Sequence, residues 1–373
     1  MAKHLPGKTA RIISDFLTIG RLVDLIEHEL EKRIVARHGL VKLDALLNLV
    51  ARLKNEVLAC LPQKSKRDIK RLEKYVDRLR KDLADSEMET GRDAMAAHAL
   101  HLDLRRIVDT WTCMHATTYG VLARDLQDID SELLRLSQLH PTCLAYPGAT
   151  TWTIEPAWQE FWRHEQNLGD PTRPRLATVY PGLATAGIVA PLPGGHPAQD
   201  VTIRAVGLAT FLRQVMILLQ AVSRGSEVER LFSEMIVNDY FALWELLFAS
   251  GVQNDHGNAD LCVAEHWRLS KFKGASCLAT LQTQRHPAFE SWRNDVRNKA
   301  TAHVDADTDI WTADLNRWPM TVDDLVHEAL RVIDAVRRCA AADARSTFLF
   351  HPPQVLPPDV IGLAAQEGRH WQD

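Results

Sequence analysis

The sequence holds no Gly-rich phosphate loop, no nucleophile elbow and no HExxH string. Nucleoside triphosphatases, serine esterases and zinc proteases built on those motifs are therefore set aside. Its six cysteines (Cys60, Cys113, Cys143, Cys262, Cys277 and Cys339) are scattered without a CxxC pair or a regular spacing. Reduced, partly buried cytosolic thiols are the expectation from that scatter. Long uninterrupted apolar runs are lacking too. The longest candidate, VTIRAVGLATFLRQVMILLQAV (201–222), carries Arg204 and Arg213 in its interior. A membrane span rarely tolerates both, so a buried or amphipathic helix is expected there. The first residues, MAKHLPGKTARIISDF, lack the apolar stretch of a secretory signal. A cytoplasmic protein is the expectation. No segment shows a convincing strand pattern.

What is present is helical periodicity. A chain of 373 residues, 46% hydrophobic and 25% charged, has the make-up of a globular protein, and its length favours two domains. Ile12, Ile13, Phe16, Ile19, Leu22, Val23, Ile26 and Leu30 recur at intervals of three and four. Gly39 punctuates, and a second run through Leu46, Leu47, Val50, Leu53, Val57 and Leu58 stops at Pro62. Within KSKRDIKRLEKYVDRLRKDL, the residues Ile69, Leu72, Val76, Leu79 and Leu83 form a narrow apolar seam. The basic residues around it read most simply as a solvated face laced with i, i+4 ion pairs, nucleic-acid contact being the alternative. A helix from about 104 to 139 completes a four-helix bundle over residues 1–139.

Residues 140–200 differ in kind, because nine prolines and several glycines break any long helix. They predict a connection with one short aromatic helix at 152–166. Trp152, Trp158 and Trp162 there read as apolar anchors onto a bundle, with base stacking as the alternative. Helical periodicity then resumes in a second bundle over 201–345. Ser226 with Glu229 predicts a capping box opening a helix over 226–250, and Thr321 with Asp324 predicts a cap on the final helix. Residues 251–258 read as a loop, 260–283 as short helical pieces, and 286–303 as a helix. Residues 346–373 form a Pro-rich extended tail. The expected fold is all-α, two helical bundles of the four-helix type joined by a Pro/Gly-rich connection.

One pattern recurs in both bundles. Arg92-Asp93 is followed, after four spacers, by His98; Arg297-Asn298 is followed at the same spacing by His303. Six residues along a helix rise about 9 Å and rotate about 240°, so the two side chains of one copy point about 120° apart. They converge only where the helix ends near the histidine, or where a second copy approaches across a cleft. Such a cleft suits phosphodiester cleavage in RNA. A neutral imidazole takes the proton of the ribose 2′-OH, and a guanidinium stabilises the charge growing on the phosphorane. Arginine fits that role because its planar fork stays charged and grips phosphate oxygens in pairs. No metal or cofactor is needed.

RNKATAHVD and RDAMAAHALHLDL resemble the HEPN superfamily, the first string being closest to its AbiU-like (abortive infection) group. The resemblance implies a helical bundle and a metal-independent endoribonuclease of prokaryotic defence or toxin–antitoxin systems. It implies an RNA substrate, an antitoxin or other protein partner, and paired domains, in one chain or a homodimer, whose Arg and His face each other. By position it implicates Arg297, Asn298 and His303, with Arg92, Asp93 and His98 as the diverged copy. Asp93 stands where Asn is commoner, and an acid there would repel phosphate. A different class of function stays open, a non-catalytic helical module that binds a partner protein or RNA. In that case the Arg and Asn tie helix ends together and the His caps a carbonyl. The DxDxD string at Asp305, Asp307 and Asp309 lacks the glycine and glutamate of a calcium loop, having Ile310 and Asn316 instead. His98 with His101, and His256 with Cys262 and His266, supply too few ligands for a metal.

Overall fold

The computed structural model describes residues 5–25, 29–85, 116–152, 212, 215–216, 219, 226–248, 252–253, 259–260, 262–269, 271, 274–294 and 321–341. The described residues are all-α in class, as the periodicity predicts. Their helices are α1 (Leu5–Leu25), α2 (Glu29–Cys60), α3 (Lys70–Asp85), α4 (Ala116–Leu139), α5 (Glu227–Phe248), α6 (Val263–Leu269), α7 (Gly274–Thr283) and α8 (Val322–Ala341). A 3-10 segment, Gln63–Ile69, leads from Pro62 into α3. Within the loop expected at 251–258, Val252 and Gln253 form a two-residue antiparallel ladder, Val252 facing Asp260 and Gln253 facing Ala259. No helix among the described residues is long and apolar enough to cross a membrane.

Local signals set several of these elements. Ser226 caps α5, its Oγ accepting the Glu229 backbone N–H at 3.0 Å. Thr321 and Asp324 cap α8 reciprocally. The Asp324 N–H donates to Thr321 Oγ1 at 3.0 Å, and the Thr321 hydroxyl donates to Asp324 Oδ2 at 2.8 Å. The seam of α3 is buried as its spacing predicts, with Leu72, Val76, Leu79 and Leu83 all inside. Leu212, Val215, Met216 and Leu219, at intervals of three, one and three, are buried helical residues of the 201–222 run. In the first 139 residues α1 packs on α2 and α4, and α3 packs on α4; further on, α5 packs on α6 and α8, and α7 on α8. The apolar core is one contiguous cluster that includes residues from Leu5 to Cys339. Most of α5 is buried, with a half-buried stripe at Asn238, Ala242 and Glu245, as suits a central helix.

Gly39 does not punctuate. It lies inside α2, which runs unbroken through it. The reason is packing: a Cβ on Gly39 would come within 2.1 Å of Tyr119 Oη, and the Tyr119 ring stacks on Phe16 with centroids 4.3 Å apart. The Tyr119 hydroxyl donates to the Phe16 carbonyl at 3.0 Å, which fixes the ring against α1. Gly39→Ala is therefore expected to destabilise the protein by about 1–3 kcal/mol, overpacking outweighing the better helix former. Gly120→Ala, in α4 with nothing within 4 Å of the new Cβ, is expected to stabilise it by up to about 1 kcal/mol. Urea midpoints of the two variants check both signs.

The first part of the connection is strapped to the helices. The Thr150 N–H donates to Ser14 Oγ at 2.8 Å, and the Trp152 N–H donates to Thr18 Oγ1 at 3.0 Å. Ser14 and Thr18, one turn apart on α1, donate in turn to the carbonyls of Ala10 and Ser14. Trp152 thus serves as an anchor, partly buried against the core. Trp158 and Trp162 lie outside the described residues.

The cysteines correct the expectation of reduced thiols. Cys60 is bonded to Cys143, and Cys277 to Cys339, with Cα–Cα separations of 5.5 Å and 5.4 Å. Helix packing, not sequence spacing, brings these partners together. The end of α2 meets the turn after α4, and α7 lies along α8. Cys262 is a free, buried thiol.

Candidate functional site

The residues that the sequence nominates, Arg92, Asp93, His98, Arg297, Asn298 and His303, all lie outside the described residues. What leads to the second motif is described. Phe289–Ser291 forms a helical turn that widens into a π-type turn over 292–294, three residues before Arg297. Such turns are frequent at functional sites. Phe289 and Trp292 anchor this segment in the core, Trp292 stacking on His286 with centroids 4.2 Å apart. Among the described residues no group of three or more His, Cys, Asp or Glu is placed to hold a metal.

The structure instead assembles a buried ionic centre that sequence reading does not reveal. Asp15 of α1 is 0% exposed, and it accepts from Lys42 Nζ of α2 at 2.6 Å and from the Arg230 guanidinium of α5. Lys42 also bonds Glu234, and Arg230 bonds both Glu234 and Glu227, the latter at 2.6 Å. Arg11 closes the edge on Glu227 at 2.9 Å, and the Trp152 indole N–H donates to Asp15 at 3.2 Å. A second layer lies five residues away, back along α2 and forward along α5, where Arg37 bonds Asp239. The register of Lys42 with Glu234 and Arg37 with Asp239 shows that α2 and α5 run antiparallel.

Electrostatics keep this centre ionised. Burial alone would raise the Asp15 pKa, but Arg230 and Lys42 outweigh it and hold the carboxyl well below the usual carboxylate range. Burial likewise opposes the Arg230 charge, and Asp15, Glu234 and Glu227 overcome it, raising its pKa. Burial pushes Arg37 down, but a guanidinium still keeps its charge at any working pH. With Lys42 and Arg230 set against Asp15 and Glu234, the innermost charges balance. No group there is left over to act on a substrate, and side chains at most 5% exposed are out of a macromolecule's reach. The centre is a clamp that joins α1, α2 and α5.

His38 sits beside the second layer, its Nε2 3.5 Å from Asp239 Oδ2 and 3.4 Å from Arg37 Nη2, while its Nδ1 has no hydrogen-bond partner. Burial pushes its imidazole below the ordinary value, Asp239 pulling the other way and Arg37 and Lys42 reinforcing the depression. The native state therefore holds His38 neutral where an unfolded chain, with a pKa near about 6.5, would take up a proton. Stability is thus expected to fall as pH drops below about 6.5, by at most about 1.4 kcal/mol per pH unit from this group. Denaturation midpoints of wild type and His38→Leu at pH 7.5 and 5.5 test this, since the variant should lose less stability between the two. An equal loss in both would assign the pH dependence elsewhere.

Comparison of the chain with protein-family models, with curated proteins and with solved structures gives no match. The two Arg-polar-x4-His strings are thus the signal on which a functional reading rests.

Proposed function

We propose that the protein is a metal-independent endoribonuclease of the HEPN kind, acting in prokaryotic defence or in a toxin–antitoxin system. The observation that carries this reading is the repetition of one Arg-polar-x4-His spacing, at 92–98 and 297–303, in the two helical halves of the chain. His303 acts as general base or acid and Arg297 stabilises the charged phosphorane, with Asn298 orienting the arginine. Arg92, Asp93 and His98 form the paired, diverged copy, in the same chain or across a homodimer. An antitoxin or other protein partner would mask the cleft.

Cleavage of RNA in EDTA tests the reading, with wild type compared with His303→Ala and His98→Ala. Wild type is expected to leave 2′,3′-cyclic phosphate ends, and His303→Ala to lower the rate by on the order of 10²-fold or more. Three folded, equally inert proteins would favour the second reading, a non-catalytic helical module. Cytoplasmic action, the setting such a function implies, is in tension with two closed disulfides, because the glutathione pool keeps cytosolic thiols reduced. Thiol-blocked extracts run with and without reductant decide the compartment: a mobility shift on reduction places the protein in an oxidising environment.

A further inference from the structure

The 3-10 segment and α3 carry a charge pattern that neither the core nor the ionic centre uses. Residues 63–81 hold nine Lys or Arg against three Asp or Glu, in a chain whose net charge is −4. At about 100° per residue, Lys70, Arg71, Lys74, Arg78 and Lys81 fall within an arc of about 100°, and the arc extends about 16 Å along α3. The buried seam of Leu72, Val76, Leu79 and Leu83 lies on the opposite side, so the arc faces solvent.

Pairing divides these cations into two sets. Arg78 is held by Asp125 at 2.6 Å and by Asp128, both on α4. Arg71, 64% exposed, lies 3.8 Å from the Glu132 carboxylate and donates to the Tyr75 hydroxyl at 3.3 Å, and the Arg78 guanidinium lies 5.1 Å from the centre of the Tyr75 ring. Lys66, Arg67, Lys70, Lys74 and Lys81 are exposed, and no carboxylate lies within ion-pair distance of them among the described residues. The i, i+4 pairs expected to neutralise this face are therefore missing from most of it.

We propose that this ridge is a track for the phosphate backbone of single-stranded RNA. Lys70 and Lys74, one helical turn apart, and Lys81, about two turns further on, supply sequence-independent attraction for phosphates along one line. The Arg71 guanidinium, held by Tyr75 and Glu132, offers a planar surface on which a base can stack. The choice of RNA over DNA rests on the ribonuclease reading above. The ridge itself does not, since none of its residues belongs to the Arg-His motifs.

Fluorescence anisotropy with a labelled, uncleavable 2′-O-methyl single-stranded RNA and the full chain reads the ridge without any cleavage. Each lost phosphate contact removes about 0.7 from the slope of log affinity against log salt for single strands. The triple variant K70E/K74E/K81E is expected to bind at least about 10-fold more weakly at low salt and to lose about 2 from that slope. K70Q/K74Q/K81Q should show the same direction to a smaller extent, and the exposed positions should leave the Tm of both variants unchanged. Wild-type affinity and slope in the folded triple variant would overturn the proposal. So would displacement of the RNA by polyglutamate at matched charge, which would make the ridge a dock for acidic protein. Intact ridge binding alongside absent RNA cleavage would remove the ribonuclease reading and leave the track standing. The reverse result would remove only the track.

Discussion

Replacing Cys60 and Cys143 together by alanine is expected to lower the unfolding free energy of the oxidised protein by about 4 kcal/mol. The bond joins residues 83 apart in sequence, and the Cys277–Cys339 bond joins residues 62 apart. A closed loop of that length removes much of the conformational freedom of the unfolded chain. Chain-entropy scaling puts the effect between about 3 kcal/mol for a 15-residue loop and about 4.7 kcal/mol for a 100-residue loop. Each bond also staples elements that the core alone must otherwise hold together. Cys60 ends α2 beside the turn after α4, and Cys277 holds α7 to the buried Cys339 on α8. Urea midpoints with and without dithiothreitol measure the effect, and the C60A/C143A variant should lose most of its sensitivity at the first site. Thiol titration of the unreduced, denatured chain should find no more than two of the six cysteines reactive. Six reactive thiols, with a midpoint indifferent to reductant, would show both pairs open in solution.

The contrast between what the sequence revealed and what it hid has a physical basis. Ser226 with Glu229, and Thr321 with Asp324, act within four residues of each other, so their caps were legible as strings. The seam Leu72, Val76, Leu79 and Leu83 was legible because helical spacing alone decides which face is buried. Gly39 misled because its role is set by Tyr119, 80 residues downstream, and a glycine needed for close approach looks the same as a helix breaker. The disulfides were hidden because six cysteines allow about 15 pairings and spacing favours none of them. Asp15, Lys42 and Asp239 looked like ordinary polar interruptions of apolar helices. Only Arg230 and Glu234, four apart in a helix otherwise almost wholly buried, carried a local signal that could have been read. The Arg-His strings show the opposite case, legible in sequence but outside the described residues.

Arg230→Met is expected to cost about 3–5 kcal/mol, the loss seen when one partner of a buried ion pair is removed. Arg230 bonds Asp15 and Glu234, both almost fully buried, and with Lys42 it balances them. Methionine fills much of the same space but leaves one uncompensated negative charge inside. Adding Asp15→Asn removes that charge while keeping an oxygen for the Trp152 indole N–H, and the remaining Lys42–Glu234 pair is neutral. The double variant should therefore be more stable than Arg230→Met alone, although each single change is destabilising by itself. A double-mutant cycle on urea midpoints reads this coupling, and strict additivity would show that Asp15 and Arg230 act independently. The pH limb provides a second check. Asp15 titrates below its ordinary value in the native state, so its contribution is fully present above about pH 3.8 and is lost as pH falls further. Without Arg230 its carboxylate loses the stronger of its two cationic partners and its native pKa rises toward the unfolded value, so Arg230→Met should lose less stability than wild type as pH falls below about 3.8.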